Sequence, residues 1–157
     1  MTDKILLLFA SQTGSAEDVA HDVHKQLTEA GHTVDLLDLS LHEDISNLPS
    51  ASCILGVVST WGDGEPPDDA VPFFENLREA EPLGLNGKPV AVLGLGDKGY
   101  DLFCECGKEL ERELQRHGAT SMLPRVDCDV WYDDDAAKWT NDLLNAFQNN
   151  SAANVAA

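Results

Sequence analysis

The apolar run Ile5-Leu6-Leu7-Leu8-Phe9 empties directly into Ala10-Ser11-Gln12-Thr13-Gly14-Ser15-Ala16, and a helical pattern starts at once behind it. A buried strand feeding a hydroxyl-rich loop at a helix start is the opening unit of an α/β fold. It is also a ready-made phosphate pocket. Backbone N–H groups at a helix start carry partial positive charge, and Ser11, Thr13 and Ser15 add hydroxyl donors. A nucleoside-triphosphate loop needs Gly-Lys-Ser/Thr at this point. Here Gly14 is followed by Ser15 and Ala16 with no lysine, so that chemistry is excluded. The loop suits one terminal phosphate held by neutral donors, although an ordinary capped βα turn would account for the same residues taken alone.

The rest of the chain keeps alternating. Lys4–Phe9 reads as the first strand, and Ala16–Ala30 as a helix with Val19, Val23 and Leu27 on one stripe and Gly31 as its stop. Thr33–Leu39 and Ser52–Ser59 read as strands, the latter apolar enough to be covered on both faces. Asp68–Ala80 is expected to be a helix with Pro72 in its first turn and Phe73, Phe74 and Leu77 inward. Pro89–Leu95 is a fourth strand, Leu102–His117 a helix stopped by Gly118, and Ala119–Val126 a fifth strand, less apolar and at an edge. Asp135–Phe147 closes the pattern, with Trp139, Leu143 and Phe147 at spacing four. With no linker and no internal repeat, residues 1–148 are expected to be one domain and 149–157 a disordered tail.

Charge narrows the partners. Twenty-eight acidic residues against ten basic ones give a net −18, which repels nucleic acid and anionic membranes and steers the chain toward basic protein surfaces. Cys53, Cys104, Cys106 and Cys128 have neither CxxC nor zinc spacing, so reduced thiols in a cytoplasmic protein are expected. The N-terminal apolar stretch is too brief for a signal peptide, and no run has the length of a membrane span. His21, His24, His32, His42 and His117 are scattered and are expected at the surface, not as metal ligands.

In open parallel sheets ligands bind beyond the carboxyl ends of the strands, which nominates loops 10–16, 59–68 and 95–101 together. The second loop, Ser59-Thr60-Trp61-Gly62-Asp63-Gly64, offers a tryptophan face suited to stacking on a flat heterocycle, beside a glycine free to turn its peptide over. The third carries Gly94, Gly96 and Gly99 in dinucleotide-fingerprint spacing. That fingerprint belongs at an opening strand, whereas this one follows the fourth, so it does not argue for a nicotinamide site. Tyr100 reads better as a second stacking face opposite Trp61. Beyond the fifth strand, Asp127-Cys128-Asp129-Val130-Trp131-Tyr132 and Asp133–Asp135 form an acidic loop at the cleft rim, its last aspartates capping the following helix.

Together these motifs resemble the flavodoxin family, nearest the short-chain and MioC-type members and the FMN domains of diflavin reductases, over essentially the whole chain to about Phe147. The resemblance implies a three-layer sandwich with a five-stranded parallel sheet in the order 2-1-3-4-5, and FMN as cofactor. It implies that Ser11, Gln12, Thr13, Gly14, Ser15 and Ala16 hold the phosphate and that Trp61 and Tyr100 sandwich the ring. Ser59, Thr60, Gly62, Asp63, Gly64, Leu95, Gly96 and Asp97 would frame it, Phe103 and Cys104 would back it, and Asp127 matches an acid near the flavin. Many family members have Thr where this chain has Ala16, which removes one hydroxyl contact. The implied function is a low-potential one-electron carrier, monomeric and not itself an enzyme, working between an NADP-linked flavoprotein reductase and a basic-surfaced acceptor. A small FMN-dependent quinone or nitro reductase, or a non-redox binding module on the same fold, are the alternatives.

Overall fold

The computed structural model describes residues 4–11, 14–60, 64–97, 99 and 102–156, with side chains described as far as residue 148. Strands β1 (Lys4–Ala10), β2 (Thr33–Asp38), β3 (Cys53–Ser59) and β4 (Pro89–Leu95) alternate with helices α1 (Ser15–Glu29), α2 (Val71–Glu79) and α3 (Glu105–Arg116). Two short strands, β5 (Thr120–Ser121) and β6 (Val126–Cys128), precede α4 (Asp133–Ala156). All pairings are parallel and the sheet runs β2-β1-β3-β4-β5, with β6 also on β4. The expected order 2-1-3-4-5 is thus present, its fifth position filled by two pieces.

Period-two alternation splits the core into two layers. Leu6, Leu8, Ile54, Val58, Val90 and Val92 face Phe73, Phe74 and Leu77 of α2 and Leu110 and Leu114 of α3. Ile5, Leu7, Phe9, Leu55, Val57, Ala91 and Leu93 face Val19, Val23 and Leu27 of α1 and Trp139 and Leu143 of α4. Each strand of the centre is therefore apolar on both sides, as a parallel sheet between helices requires.

Four expectations about the elements need correction, and one about a histidine. The fifth strand is not continuous over Ala119–Val126. From Ser121 to Val126 the chain takes five steps while β4 takes three from Val90 to Leu93, and Pro124, which has no N–H to give a ladder, lies in the excess. Helix α3 begins at Glu105, not Leu102, because Cys104 is left-handed (φ 54°, ψ 28°) and ends the helical backbone there. The segment before α2 is a 3-10 turn, Asp68–Ala70, with Pro72 in the first turn of α2 as expected. Helix α4 continues to Ala156, past the end of the apolar pattern at Phe147, because no glycine or proline interrupts Asp133–Ala156.

His117 is not at the surface but fully buried. The Leu83 N–H donates to its Nδ1 at 2.9 Å, so Nε2 carries the proton and donates to the Leu77 carbonyl at 2.8 Å. One imidazole thereby ties the end of α3 to the end of α2 and to the loop leading into β4. All four cysteines are free and buried, and no helix is long and apolar enough to cross a membrane among the described residues.

Candidate functional site

The strand order reverses direction at β1: β2 lies on one side and β3 on the other. In a parallel sheet this switch leaves a crevice beyond the strand ends, where the links after β1 and β3 diverge to opposite faces. The three nominated loops leave that same edge, since β1, β3 and β4 are mutually parallel.

The first loop ends in Gly14, which takes φ 94° and acts as the N-cap of α1 without any side-chain cap. A Cβ there would touch nothing within 4 Å, so the constraint is backbone conformation, not space. Ser11 Oγ accepts the Gly14 N–H at 2.8 Å and Asp18 N–H donates to the Gly14 carbonyl at 3.0 Å, which closes the turn and starts the helix. A helix start without a capping side chain leaves its first-turn N–H groups available to an anion. That is the chemistry a terminal phosphate requires. Ser15 lies at the helix start, half-buried, and Ala16 is buried against the sheet. Gln12 and Thr13 lie outside the described residues.

The second and third loops are stitched together. The Thr60 N–H donates to the Leu95 carbonyl at 2.9 Å, and the Gly96 N–H donates to the Cys128 carbonyl at 2.9 Å. The Thr60 hydroxyl accepts the Cys106 N–H at 2.9 Å. Cys104, at the N-cap of α3, makes no side-chain cap bond, so Thr60, 46 positions before Cys106, does the capping. Gly64 (φ 90°) completes the junction: a Cβ there would lie 2.8 Å from Leu102 Cδ1 and 3.2 Å from Glu105 Cβ. Ser59 is buried at the end of β3 and Thr60 half-buried beyond it. Trp61, Gly62 and Asp63, and likewise Tyr100, lie outside the described residues.

Gly96 is a cradle. A Cβ at this position would sit 3.0 Å from the Cys104 amide nitrogen, 3.1 Å from its Sγ and 3.4 Å from the Phe103 ring. Asp97 Oδ1 accepts the Gly99 N–H at 2.8 Å in a local turn. Cys104 Sγ lies 3.5 Å from the Cys128 carbonyl, and burial, seconded by the Asp127 charge, pushes that thiol up to about 12. It is a packed structural thiol and not a nucleophile. Gly94 serves packing: its Cα lies 3.1 Å from where a Gly107 Cβ would stand, so α3 rests directly on β4. The fingerprint spacing is explained by this approach and by the Gly96 cradle. Asp127, on β6 opposite Gly94, is half-buried and ion-paired with Arg125.

Sequence reasoning missed the Thr60 cap, Arg125 and the exposure of Trp131, whose side chain is 88% exposed beyond β6 beside the half-exposed Val130. Arg125 and Asp127 stand two apart at a strand, a spacing that puts both on one face and was there to be read.

The flavodoxin family model matches residues 7–139 of this chain. The chain is a member of the flavodoxin family. Among solved structures it is similar to the flavodoxin of Streptococcus pneumoniae TIGR4, with a TM-score of 0.82, 29% identity and coverage of 94% of this chain and 99% of that one. It is likewise similar to oxidised Flavodoxin 2 from Bacillus cereus, at a TM-score of 0.79 and 30% identity, covering 94% and 99% of the two chains. Among curated relatives, the sulfite reductase [NADPH] flavoprotein alpha-component of Bacillus subtilis (strain 168) is 38% identical over 92% of this chain and 24% of the relative. The same component from Vibrio vulnificus (strain CMCP6) is 38% identical over 98% of this chain and 25% of its own length. The flavodoxin chain described here thus spans about a quarter of these curated relatives. FMN is the cofactor, and FMN-binding electron transfer the function, that membership of this family carries. The uncapped α1 start fits such a group, since it offers neutral donors to a phosphate, and the close packing of Gly96 on Cys104 and Phe103 fixes the base of the third loop beside it.

Proposed function

We propose that this flavodoxin is a low-potential one-electron carrier whose FMN is held where the three loops meet at the β1/β3 switch. FMN supplies the redox chemistry, and the protein supplies binding and electrostatics. The α1 N-terminus, with Ser11, Thr13 and Ser15, grips the phosphate through neutral donors. Thr60 fixes the second loop against the start of α3, and Trp61 and Tyr100 are the residues assigned to the two faces of the ring. Gly96 and Asp97 would frame the ring's polar edge, and Gly62, as a glycine, would be the residue able to offer its carbonyl there. The observation that carries this reading is the α1 start, capped by a left-handed glycine with no side-chain partner. No nucleophile or general base is needed.

The net −18 charge opposes further negative charge at the site, so the last electron is taken up at low potential. The same charge selects basic redox proteins as partners. By analogy with relatives named as flavoprotein components of NADPH sulfite reductase, the donor is an NADP-linked flavoprotein reductase and the acceptor a second basic-surfaced protein. The working unit is a soluble monomer in the cytoplasm.

The test is a paired fluorescence titration of the apoprotein with FMN and with riboflavin, which lacks the phosphate. Charge-assisted hydrogen bonds to the phosphate predict tighter binding of FMN by about tenfold or more. Equal affinities would contradict the role given to the α1 start.

A further inference from the structure

Arg125 stands at the entry to β6 and makes a two-bond fork with Asp127, Nε to Oδ1 at 2.9 Å and Nη2 to Oδ2 at 3.3 Å. Its remaining arm, Nη1, donates to Glu111 Oε1 of α3 at 2.7 Å. Glu111 Oε2 in turn accepts from Ser121 Oγ at 3.3 Å, and Ser121 Oγ accepts from Gln115 Nε2 at 2.9 Å. The three ionic side chains are only 26%, 24% and 14% exposed for Arg125, Asp127 and Glu111. One guanidinium thus serves two carboxylates in a place where solvent screens them poorly.

The location gives the cluster its meaning. Asp127 pairs in register with Gly94, and its Oδ1 lies 3.7 Å from where a Gly94 Cβ would stand, with Cys104 Cβ 3.5 Å from the same point. The next carbonyl along the chain, Cys128, accepts the Gly96 N–H that pins the third loop. Asp127 therefore lies against the base of the loop assigned to the ring's edge. Left alone, Asp127 and Glu111 would present two negative charges there. With Arg125 in place the cluster carries one.

We propose that Arg125 is an internal counter-ion that acts through Asp127 to set the charge this end of the site presents to a group taking up electrons. It is a positioning residue and contacts no ligand. The assignment rests on the FMN reading above. Removing the guanidinium frees the Asp127 carboxylate and doubles the local negative charge, which opposes the reduced cofactor more than the oxidised one. The competing account gives the fork only the work of holding the split fifth strand to α3. That role lowers stability when lost but leaves the balance between oxidised and reduced cofactor unchanged.

The experiment compares the FMN-loaded wild type with R125Q, R125K and R125Q/D127N. For each, thermal melts report folding, fluorescence titration gives the dissociation constant of oxidised FMN, and spectroelectrochemistry gives the midpoints of both one-electron steps, bound and free. Together these yield the ratio of reduced to oxidised dissociation constants. R125Q is expected to raise that ratio by about threefold or more, as one unscreened unit charge near the site predicts. R125K is expected to stay near wild type, and R125Q/D127N to return toward it. An unchanged ratio in R125Q that still binds FMN would overturn the proposal, and so would a double variant shifted as far as R125Q. Should R125Q fail to fold, R125Q/D127N and D127N carry the test, since D127N is expected to shift the ratio the opposite way and no shift there overturns the proposal. A wild type that does not bind FMN overturns the functional reading itself, an outcome seen in the first titration.

Discussion

Substituting Gly107 and Gly94 separately should give opposite results, although the two glycines face each other across the α3–β4 contact. A Cβ at Gly107 would lie 3.1 Å from Gly94 Cα and 3.6 Å from its nitrogen. Carbon atoms pack comfortably at about 3.5–4.0 Å, so G107A falls short by several tenths of an ångström. The neighbour is strand backbone, which cannot rotate away as a side chain would. Overpacking of this kind costs about 1–3 kcal/mol. Alanine recovers at most about 1 kcal/mol over glycine in a helix, and less here because Gly107 lies in the first turn of α3. The net expectation is a loss of about 1–2 kcal/mol, or about 2–8 °C in Tm at about 2–4 °C per kcal/mol for a domain of this size. A Cβ at Gly94, by contrast, would meet Cys104 Cβ at 3.5 Å, Gly107 Cα at 3.6 Å and Asp127 Oδ1 at 3.7 Å, all ordinary contacts. G94A also relieves the entropic handicap of glycine in a strand, about 0.5–1 kcal/mol. It should be neutral or slightly stabilising. Urea unfolding of the apoproteins measures both differences without cofactor linkage, and an unchanged m-value certifies that only stability has moved. A G107A variant as stable as wild type, or a G94A variant that loses more than G107A, would mean that the α3–β4 contact is not limited by backbone approach at Gly107.

Thr60 supplies a further test, because its hydroxyl caps α3 from another loop: T60V should cost about 1 kcal/mol in stability and weaken FMN binding, while T60S retains both, as paired melts and titrations will show. The thiols follow burial: Cys53, Cys104 and Cys128 are each pushed up to about 12 from an ordinary 9.0, and the same desolvation raises Cys106 well above 9.0. The unfolded chain therefore ionises first, so the stabilisation is whole below pH 9 and is lost as pH climbs toward 12. Native protein at pH 8 should resist a thiol reagent that labels the urea-unfolded chain rapidly, and fast native labelling would contradict this. Electron transfer to a basic partner should slow steeply as salt rises through about 0.1 M, where the screening length is about 10 Å. W131A, which removes an 88% exposed apolar side chain beside the acidic start of α4, should weaken that encounter by about 1–2 kcal/mol if Trp131 is an anchor of the contact, and stopped-flow kinetics on both proteins reads each effect.

The elements with strong periodicity were legible in the sequence because packing and propensity agree there. Pro89–Leu95 is a strand with the expected bounds, and Val19, Val23 and Leu27 line the buried stripe of α1. The fifth strand was misjudged because its break depends on register against β4, and one proline in a short apolar run does not announce where the chain resumes pairing. The start of α3 was misplaced because Cys104 adopts a left-handed conformation that its residue type does not favour. The burial of His117 has no sequence signature, because a single histidine carries no periodic signal. Its burial follows from two backbone partners on α2 and the following loop. For the site, the three loops could be read as motifs. What joins them could not: the Thr60–Cys106 bond spans 46 residues, and only the fold brings such partners together.

In the function proposed above, these loops hold FMN so that it takes electrons one at a time. Stepwise anaerobic reduction of the FMN-loaded protein, followed by visible absorbance, tests it directly. A distinct one-electron species with long-wavelength absorbance is expected to rise and fall between the oxidised and fully reduced spectra. Bleaching in a single two-electron step, with no such species at any point, would contradict it.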